Sequence, residues 1–402
     1  MILVGDFIPK NLNVRLPDEF KDCLVLANLE GPICVDGLPR SNKVGVCLHS
    51  NVAKLRSWGV ERFAFSLANN HMMDFGEEGL RQTKAALSSH GIPFAGAGDN
   101  EEEARKPMIL EENGKRIAVF CCCERQFGMA MVASAGCAEK GVWLYNAIRE
   151  IKETGQADFV VVSCHAASEY SPWICPALHD FYHSLIDAGA DCIHGHHAHV
   201  PQGYEEYKGR PIFYGLGNFV MVEGEAGGDV NQLWSLVAEL TFDREIYWSV
   251  RPVDLTFNGD SIMPVVSAAE TLSDHNRYLQ YANLPFADTL HLVGCWQESS
   301  VRIYNRLYCQ PLRALPVMGR KLSWRDRMRK IWFSMKDFRS IFSGSEHVSE
   351  GSLRYGKILY NYMNCESHFA AISVALGVLT GVEPDMRMEA IKTVANELKI
   401  GE

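Results

Sequence analysis

Four histidines stand within six residues, at His194, His196, His197 and His199, in the stretch running from Gly189 to Val200. Neutral imidazole is the commonest protein ligand for transition metals, and a His-x-His pair such as His197 and His199 in a loop can aim two nitrogens at neighbouring ions. The apolar piece Ala190-Asp191-Cys192-Ile193 reads as a short buried strand. The histidines then fall at its carboxyl end, the edge at which open α/β sheets bind ligands. Groups of the same chemistry recur in the same setting. Asp6 follows Ile2-Leu3-Val4, Glu30 follows Cys23 to Ala27, Asn70 and His71 follow Arg62 to Leu67, and His165 follows Asp158 to Ser163 with Glu169 close behind. Any one of these is also a common turn residue. Together they bring Asp, Glu, Asn and His to the ends of five strands, a donor set for one or two divalent ions of the Mn, Zn or Fe kind. His194 and His196 alternate with the ligand candidates and are expected to play structural or supporting parts.

Such a cluster needs a sheet to hold it. Further strands are expected over Ile92–Ala95, Ile117–Cys123, Tyr204–Lys208, Ile212–Tyr214, Leu233–Phe242 and Tyr247–Pro252. Helical patterns lie between them. One carries Glu77 and Glu78 in its first turn, Leu80 and Leu87 on one face and His90-Gly91 as a stop; the others span Val142–Glu153 and Pro176–Ala188. This interleaving predicts an α/β sheet.

The 402 residues, 47% hydrophobic and 22% charged, suit a large core and two domains. A net charge of −10 argues against non-specific nucleic-acid binding. The 13 cysteines are odd in number, include the run Cys121-Cys122-Cys123 and form no Cys-x-x-Cys pair. That is the usage of a reduced cytoplasmic protein with buried thiols. Met1-Ile2-Leu3-Val4 already reads as a strand, with no signal-peptide pattern, and the apolar run Phe369 to Leu379 is too short to span a bilayer. A cytoplasmic location is expected, with any membrane role peripheral.

The motifs Gly5-Asp6, Asn28-Leu29-Glu30-Gly31-Pro32, Asn69-Asn70-His71-x-x-Asp74-x-Gly76, His165-x-x-x-Glu169-Tyr170, His197-x-His199-Val200 and Tyr214-x-Leu216-Gly217-Asn218-Phe219 occur in an order that resembles the CapA family of capsule and poly-γ-glutamate synthesis proteins. That family is similar in fold to the calcineurin-like metallophosphoesterases. The resemblance covers residues 1–255 and implies a four-layer α/β sandwich with a metal site at the strand ends. It implies Asp6 and His199 at a first ion, Glu30 as the bridge, and Asn70, His165 and His197 at a second. It places His71 at the leaving group or attacked centre, with Asp74 to orient its ring, and Glu169 and Asn218 at the substrate. One departure is plain. The phosphoesterases carry Asp-x-His at the first motif, and here the third position is Ile8, so the first ion loses a ligand. The implied function is capsule or exopolymer synthesis with a metal-dependent hydrolase site for phosphoesters or γ-glutamyl amides. The alternative is a non-catalytic assembly or polymer-binding factor of a membrane-associated synthesis complex.

From Ala268 onward strand signals give way to helical ones, and 268–402 reads as a helical region. Trp324, Met328, Ile331, Trp332, Met335, Phe338, Ile341 and Phe342 recur at helical spacing, opposite Arg325, Arg327, Arg329, Lys330, Lys336 and Arg339. A basic amphipathic helix with tryptophans over 324–342 would suit peripheral contact with an anionic membrane or a membrane-bound partner; packing on the domain is the alternative. Residues 352–400 read as two more helices.

Overall fold

Along the strand Lys115–Cys123 the side chains divide between two cores. Ile117, Val119, Cys121 and Cys123 join one, and Ala118, Phe120 and Cys122 the other. Phe159–His165 repeats the pattern, with Phe159 and Val161 on the first side and Val160, Val162 and Cys164 on the second. This is the period-2 geometry of a strand covered on both faces. The computed structural model describes residues 1–34, 37–43, 45–59, 62–222, 224, 229–309 and 350–401.

Six strands position the candidate site: β1 (Ile2–Phe7), β2 (Val25–Leu29), β3 (Phe63–Ser66), β4 (Lys115–Cys123), β5 (Phe159–His165) and β6 (Cys192–His196). In the first sheet β1, β2 and β3 are parallel neighbours. Phe94–Ala95 lies beyond β3, and on the other side of β1 come Trp234–Phe242, Ile246–Asn258, Ser261–Val266 and Asn13–Val14, with Asn218–Val220 also pairing with β1. In the second sheet β4, β5 and β6 are parallel, flanked by Met108–Glu112 at one edge and by Arg210–Phe213 and Tyr204–Tyr207 at the other. Helices close both faces. Leu80 and Leu87 of α1 (Gly76–Ser89) join the first core, and Leu144 and Ile148 of α2 (Val142–Thr154) and Leu178, Tyr182 and Leu185 of α3 (Pro176–Ala188) join the second. The architecture is a four-layer α/β sandwich.

Beyond Val266 the described chain is helical: α4 (Ala269–Ala282), α5 (Thr289–Ile303), α6 (Glu350–Asn364), α7 (Glu366–Thr380) and α8 (Glu389–Glu397). Trp296 and Val301 of α5 pack with Ala371 and Ala375 of α7 in a separate core. Tyr278, Cys295 and Ile391 anchor the helices to the sandwich. Among the described residues no helix is long and apolar enough to cross a membrane. The segment 324–342 lies outside the described residues. Among the described residues no two cysteines form a disulfide.

The site strands run further than their apolar stretches indicate. Asp6, His165, His194 and His196 lie within strands rather than beyond them. Each is carried by a ladder on a neighbouring strand, with Asp6 opposite Asn28 and His165 opposite His196. Pairing of the backbone satisfies N–H and C=O groups whatever the side chain, so polar residues extend a strand when both neighbours continue. Close approach of the chain also requires glycine: a Cβ on Gly195 would stand 2.0 Å from the Tyr214 carbonyl oxygen, and one on Gly5 1.8 Å from that of Gly217.

Candidate metal centre

The carboxyl ends of the parallel strands bring the candidates together. Asp6, Glu30 and His199 present donor atoms all within 4.8 Å of one another, and so do Glu169, His197 and His199. His199 Nδ1 lies 3.5 Å from Asp6 Oδ2, and its Nε2 3.6 Å from Glu30 Oε1. His165 Nδ1 lies 3.7 Å from Asp6 Oδ1, and the His165 and His197 rings are 4.3 Å apart. Both nitrogens of His165 are engaged by amides: Asn28 Nδ2 donates to Nδ1 at 3.1 Å, and Nε2 donates to Asn70 Oδ1 at 3.0 Å. His199 is common to both sets, and Glu169, expected at the substrate, joins one of them. Asn218 stands behind His199, its Oδ1 3.0 Å from Nδ1 and its Nδ2 donating to the His199 carbonyl at 3.1 Å.

His194 and His196 are turned to structural partners. His194 Nε2 donates to the Val4 carbonyl at 2.9 Å, tying the two sheets, and His196 Nε2 pairs with Ser163 Oγ at 2.9 Å.

Burial governs the electrostatics. It pushes the Glu30 carboxyl up to about 8 against the pull of His199, and raises Asp6 as well. At Glu169 burial works upward too, but His197 and His199 outweigh it and hold the carboxyl below its usual value. For His197 burial works downward, yet Glu124, Glu169 and Glu30 bring it up to about 9; His199 is likewise raised, by Glu30 and Asp6. Imidazoles whose pKa is pushed up by surrounding carboxylates mark a place of negative potential that favours a cation. Glu30 is only 2% exposed, and neither of its oxygens has a hydrogen-bond partner among the described residues.

His71 follows Asn70 in the loop after β3. Its Nδ1 donates to Asp74 Oδ2 at 2.7 Å, and its Nε2 lies 3.8 Å from Glu30 Oε1. Burial lowers its pKa, with Asp74 opposing. Asp74 is itself fixed by an ion pair with Lys43 and by the Leu48 backbone N–H at 2.6 Å. These groups open onto a cavity of about 480 Å³ lined by Ile8, Glu30, Asn70, His71, Glu169, Tyr170, His199 and Asn218, among others.

Several residues of this neighbourhood have no assigned part in the site on the sequence alone. Glu124, directly after β4, is 3% exposed and places Oε1 3.7 Å from His197 Nε2. The same oxygen accepts from the Ser367 backbone N–H at 3.3 Å and from Cys365 Sγ at 3.4 Å, at the start of α7. Asn28 donates to Asp6 Oδ1 at 2.8 Å. Asn361 and His368 put the C-terminal helices in the cavity wall. A carboxylate just past a buried strand was the available signal for Glu124; nothing local marks the others.

Sandwich and cluster together define an α/β protein with a buried carboxylate–imidazole centre at its strand ends. The chain belongs to the family described as bacterial capsule synthesis protein PGA_cap, whose profile matches residues 18–223, just over half of it. It is similar to the capsule biosynthesis protein CapA of Bacillus anthracis, 32% identical over 213 residues that make up 50% of this chain and 51% of that protein. It is also similar to the PGA biosynthesis protein CapA of Bacillus subtilis, 31% identical over 212 residues, 50% of this chain and 53% of that one. The chain thus matches about half the length of these curated relatives. Among solved structures, a phosphatase from Mycoplasma pneumoniae aligns at 12% identity and a TM-score of 0.39, over 63% of this chain and 92% of that one. The fold rests on the strand order above and not on that alignment.

Proposed function

We propose that the chain is a metal-dependent hydrolase of capsule or poly-γ-glutamate exopolymer synthesis, acting on a phosphoester or a γ-glutamyl amide. The observation that carries this reading is the Glu30 carboxylate, buried beside Asp6, His199 and His71 with neither oxygen hydrogen-bonded. An ionised carboxylate with no hydrogen bond to either oxygen is costly to bury, and a cation relieves that cost. The mixed oxygen and imidazole donors suit Mn, Fe or Zn. Asp6, Glu30 and His199 would hold one ion; Glu169 and His197, with His165 and Asn70 as further donors, would serve a second. When bound, the metal supplies positive charge that polarises the electrophile and makes water a better nucleophile.

The chain's own groups supply the rest. Asp74 grips the His71 ring by Nδ1, which leaves Nε2, near Glu30, as the proton donor to the leaving group. Asn218 and Tyr170 are cavity-wall contacts for the substrate, and Asn361 and His368 add to the wall from the C-terminal helices. Family membership supports a place beside a polymer synthesis complex; the thiol-rich composition favours its cytoplasmic side, and the net charge of −10 argues against a nucleic-acid partner.

A second reading, a non-catalytic polymer-binding factor of the same complex, draws on one observation: apolar Ile8 lines the cavity where the related phosphoesterases carry a histidine. Turnover decides between them. The full chain, loaded with Mn, Fe or Zn, should hydrolyse an aryl phosphoester or a γ-glutamyl anilide and lose that activity to a chelator. No turnover with any of these metals on either substrate would favour the binding factor.

A further inference from the structure

The outer side of the second sheet carries another group of metal-ligand side chains, separate from the donor sets just described. His179 and His183 are four residues apart on α3, so they share one helix face. Both turn Nε2 to the same carboxylate oxygen of Glu205, on the strand Tyr204–Tyr207, at 3.6 Å and 2.7 Å. The three donor atoms all lie within 4.8 Å of one another. In a tetrahedral zinc site with bonds of roughly 2.0–2.1 Å, neighbouring donors stand about 3.3 Å apart, and the two observed separations straddle that value.

The rings are held in this orientation by their surroundings. His183 stacks on Tyr207 at 3.8 Å, the His179 ring lies 4° from parallel to that of Tyr214, and the two imidazoles are 4.0 Å apart. Asp180 Oδ1 lies 3.1 Å from His179 Nδ1, the pattern in which an outer carboxylate fixes the tautomer that frees Nε2. Tyr214 Oη donates to Glu205 Oε1 at 2.6 Å and fixes the carboxylate from the buried side. All three side chains are about one-fifth exposed, so an ion can reach them from solvent. Nothing in the proposed hydrolase chemistry uses them.

We propose that His179, His183 and Glu205 form a second divalent-cation site, of the zinc type, with two imidazoles and one carboxylate as protein ligands and a solvent position completing the shell. Such an ion would clamp α3, which leads directly into β6 and the histidine loop, to the edge strand Tyr204–Tyr207. The pairing of two histidines at this helical spacing with a distant carboxylate is a recurrent zinc-binding arrangement.

Metal analysis of the full chain tests this. Wild type, the double variant His179→Ala/His183→Ala and, separately, Glu205→Gln are saturated with Zn²⁺, desalted and measured for zinc per chain and for the zinc-induced rise in Tm. Both variants should bind one equivalent less than wild type and lose part of the Tm rise. Glu205→Gln keeps an acceptor for Tyr214, so it guards against a folding defect in the double variant. Equal stoichiometry in all three proteins would make the group a hydrogen-bonded pair only and overturn the site. The difference between wild type and variant does not depend on any ion at Glu30, so failure of the hydrolase reading leaves this test intact.

Discussion

His197 and His199 both hold left-handed backbone, at φ of 87° and 57°, with only Ala198 between them. Residues other than glycine and asparagine rarely adopt that conformation, and each instance costs on the order of 1–3 kcal/mol. The loop is held there by its contacts. Tyr170, itself at φ 62°, donates its backbone N–H to the Ala198 carbonyl at 2.8 Å, and the His197 N–H reaches Asp6 Oδ2 at 3.3 Å. Strain concentrated at two candidate ligands is consistent with imidazoles held in place before any ion arrives.

The strain makes the choice of substitution informative. Asparagine tolerates the left-handed region better than alanine does. In metal-free protein, His199→Asn should therefore be more stable than His199→Ala by about 0.5–1 kcal/mol, as read by chemical denaturation. Both should lose metal affinity. An alanine variant as stable as the asparagine one would mean that the loop relaxes when the ring is removed.

His71 and Asp74 act as a unit. His71→Ala should keep bound metal and lose turnover by roughly 10²-fold, the usual scale for a proton donor. Asp74→Ala should do that and also destabilise the fold by roughly 3 kcal/mol, because it strands Lys43, which is 9% exposed, without its ion-pair partner. Burial sets the His71 pKa below its ordinary 6.5. A donor must carry its proton, so activity should fall as pH rises through a point below 6.5. An activity that rises with pH over that range would make Nε2 a base instead.

Glu124 links His197 to the C-terminal helices, and its effect is pH-dependent. Burial would lower the His197 pKa, but Glu124, with Glu169 and Glu30, raises it to about 9. The folded value lies above the unfolded one, so this stabilisation is full below pH 6.5 and is lost as pH rises through 9. In chelator-treated protein, Glu124→Gln keeps an acceptor for Ser367 and Cys365 but removes the charge. It should lower stability at pH 6 by up to about 3 kcal/mol and have little effect at pH 10. Equal losses at both pH values would assign the effect to packing at α7 and not to the ion pair.

Much of this arrangement was legible in the sequence. The candidates at Asp6, Glu30, Asn70, His165, His197 and His199 stand out because each adjoins an apolar run; that they come from two sheets whose strand ends meet is set by tertiary packing, which no local pattern displays. Strand limits were less legible. Asp6 and His165 are polar yet remain in the ladder, because pairing concerns the backbone. The strand Ser261–Val266 escaped notice through Pro264, which ordinarily argues against a strand but sits here close to the sheet edge. Lys43, Asn361 and His368 reach the cavity only through tertiary packing, and no periodicity or spacing announces that. Asn28 lies inside a buried strand, where its amide reads as an anomaly until Asp6 and His165 are seen on either side.

Buried Glu30 should hold a metal ion. The most direct measurement is metal content per chain for wild type and Glu30→Gln, each loaded with Mn²⁺ and with Zn²⁺ and then desalted. Wild type should hold at least one equivalent that Glu30→Gln loses and that His179→Ala/His183→Ala retains. A wild type that binds neither metal at the strand ends, or a Glu30→Gln variant with unchanged content, would contradict it.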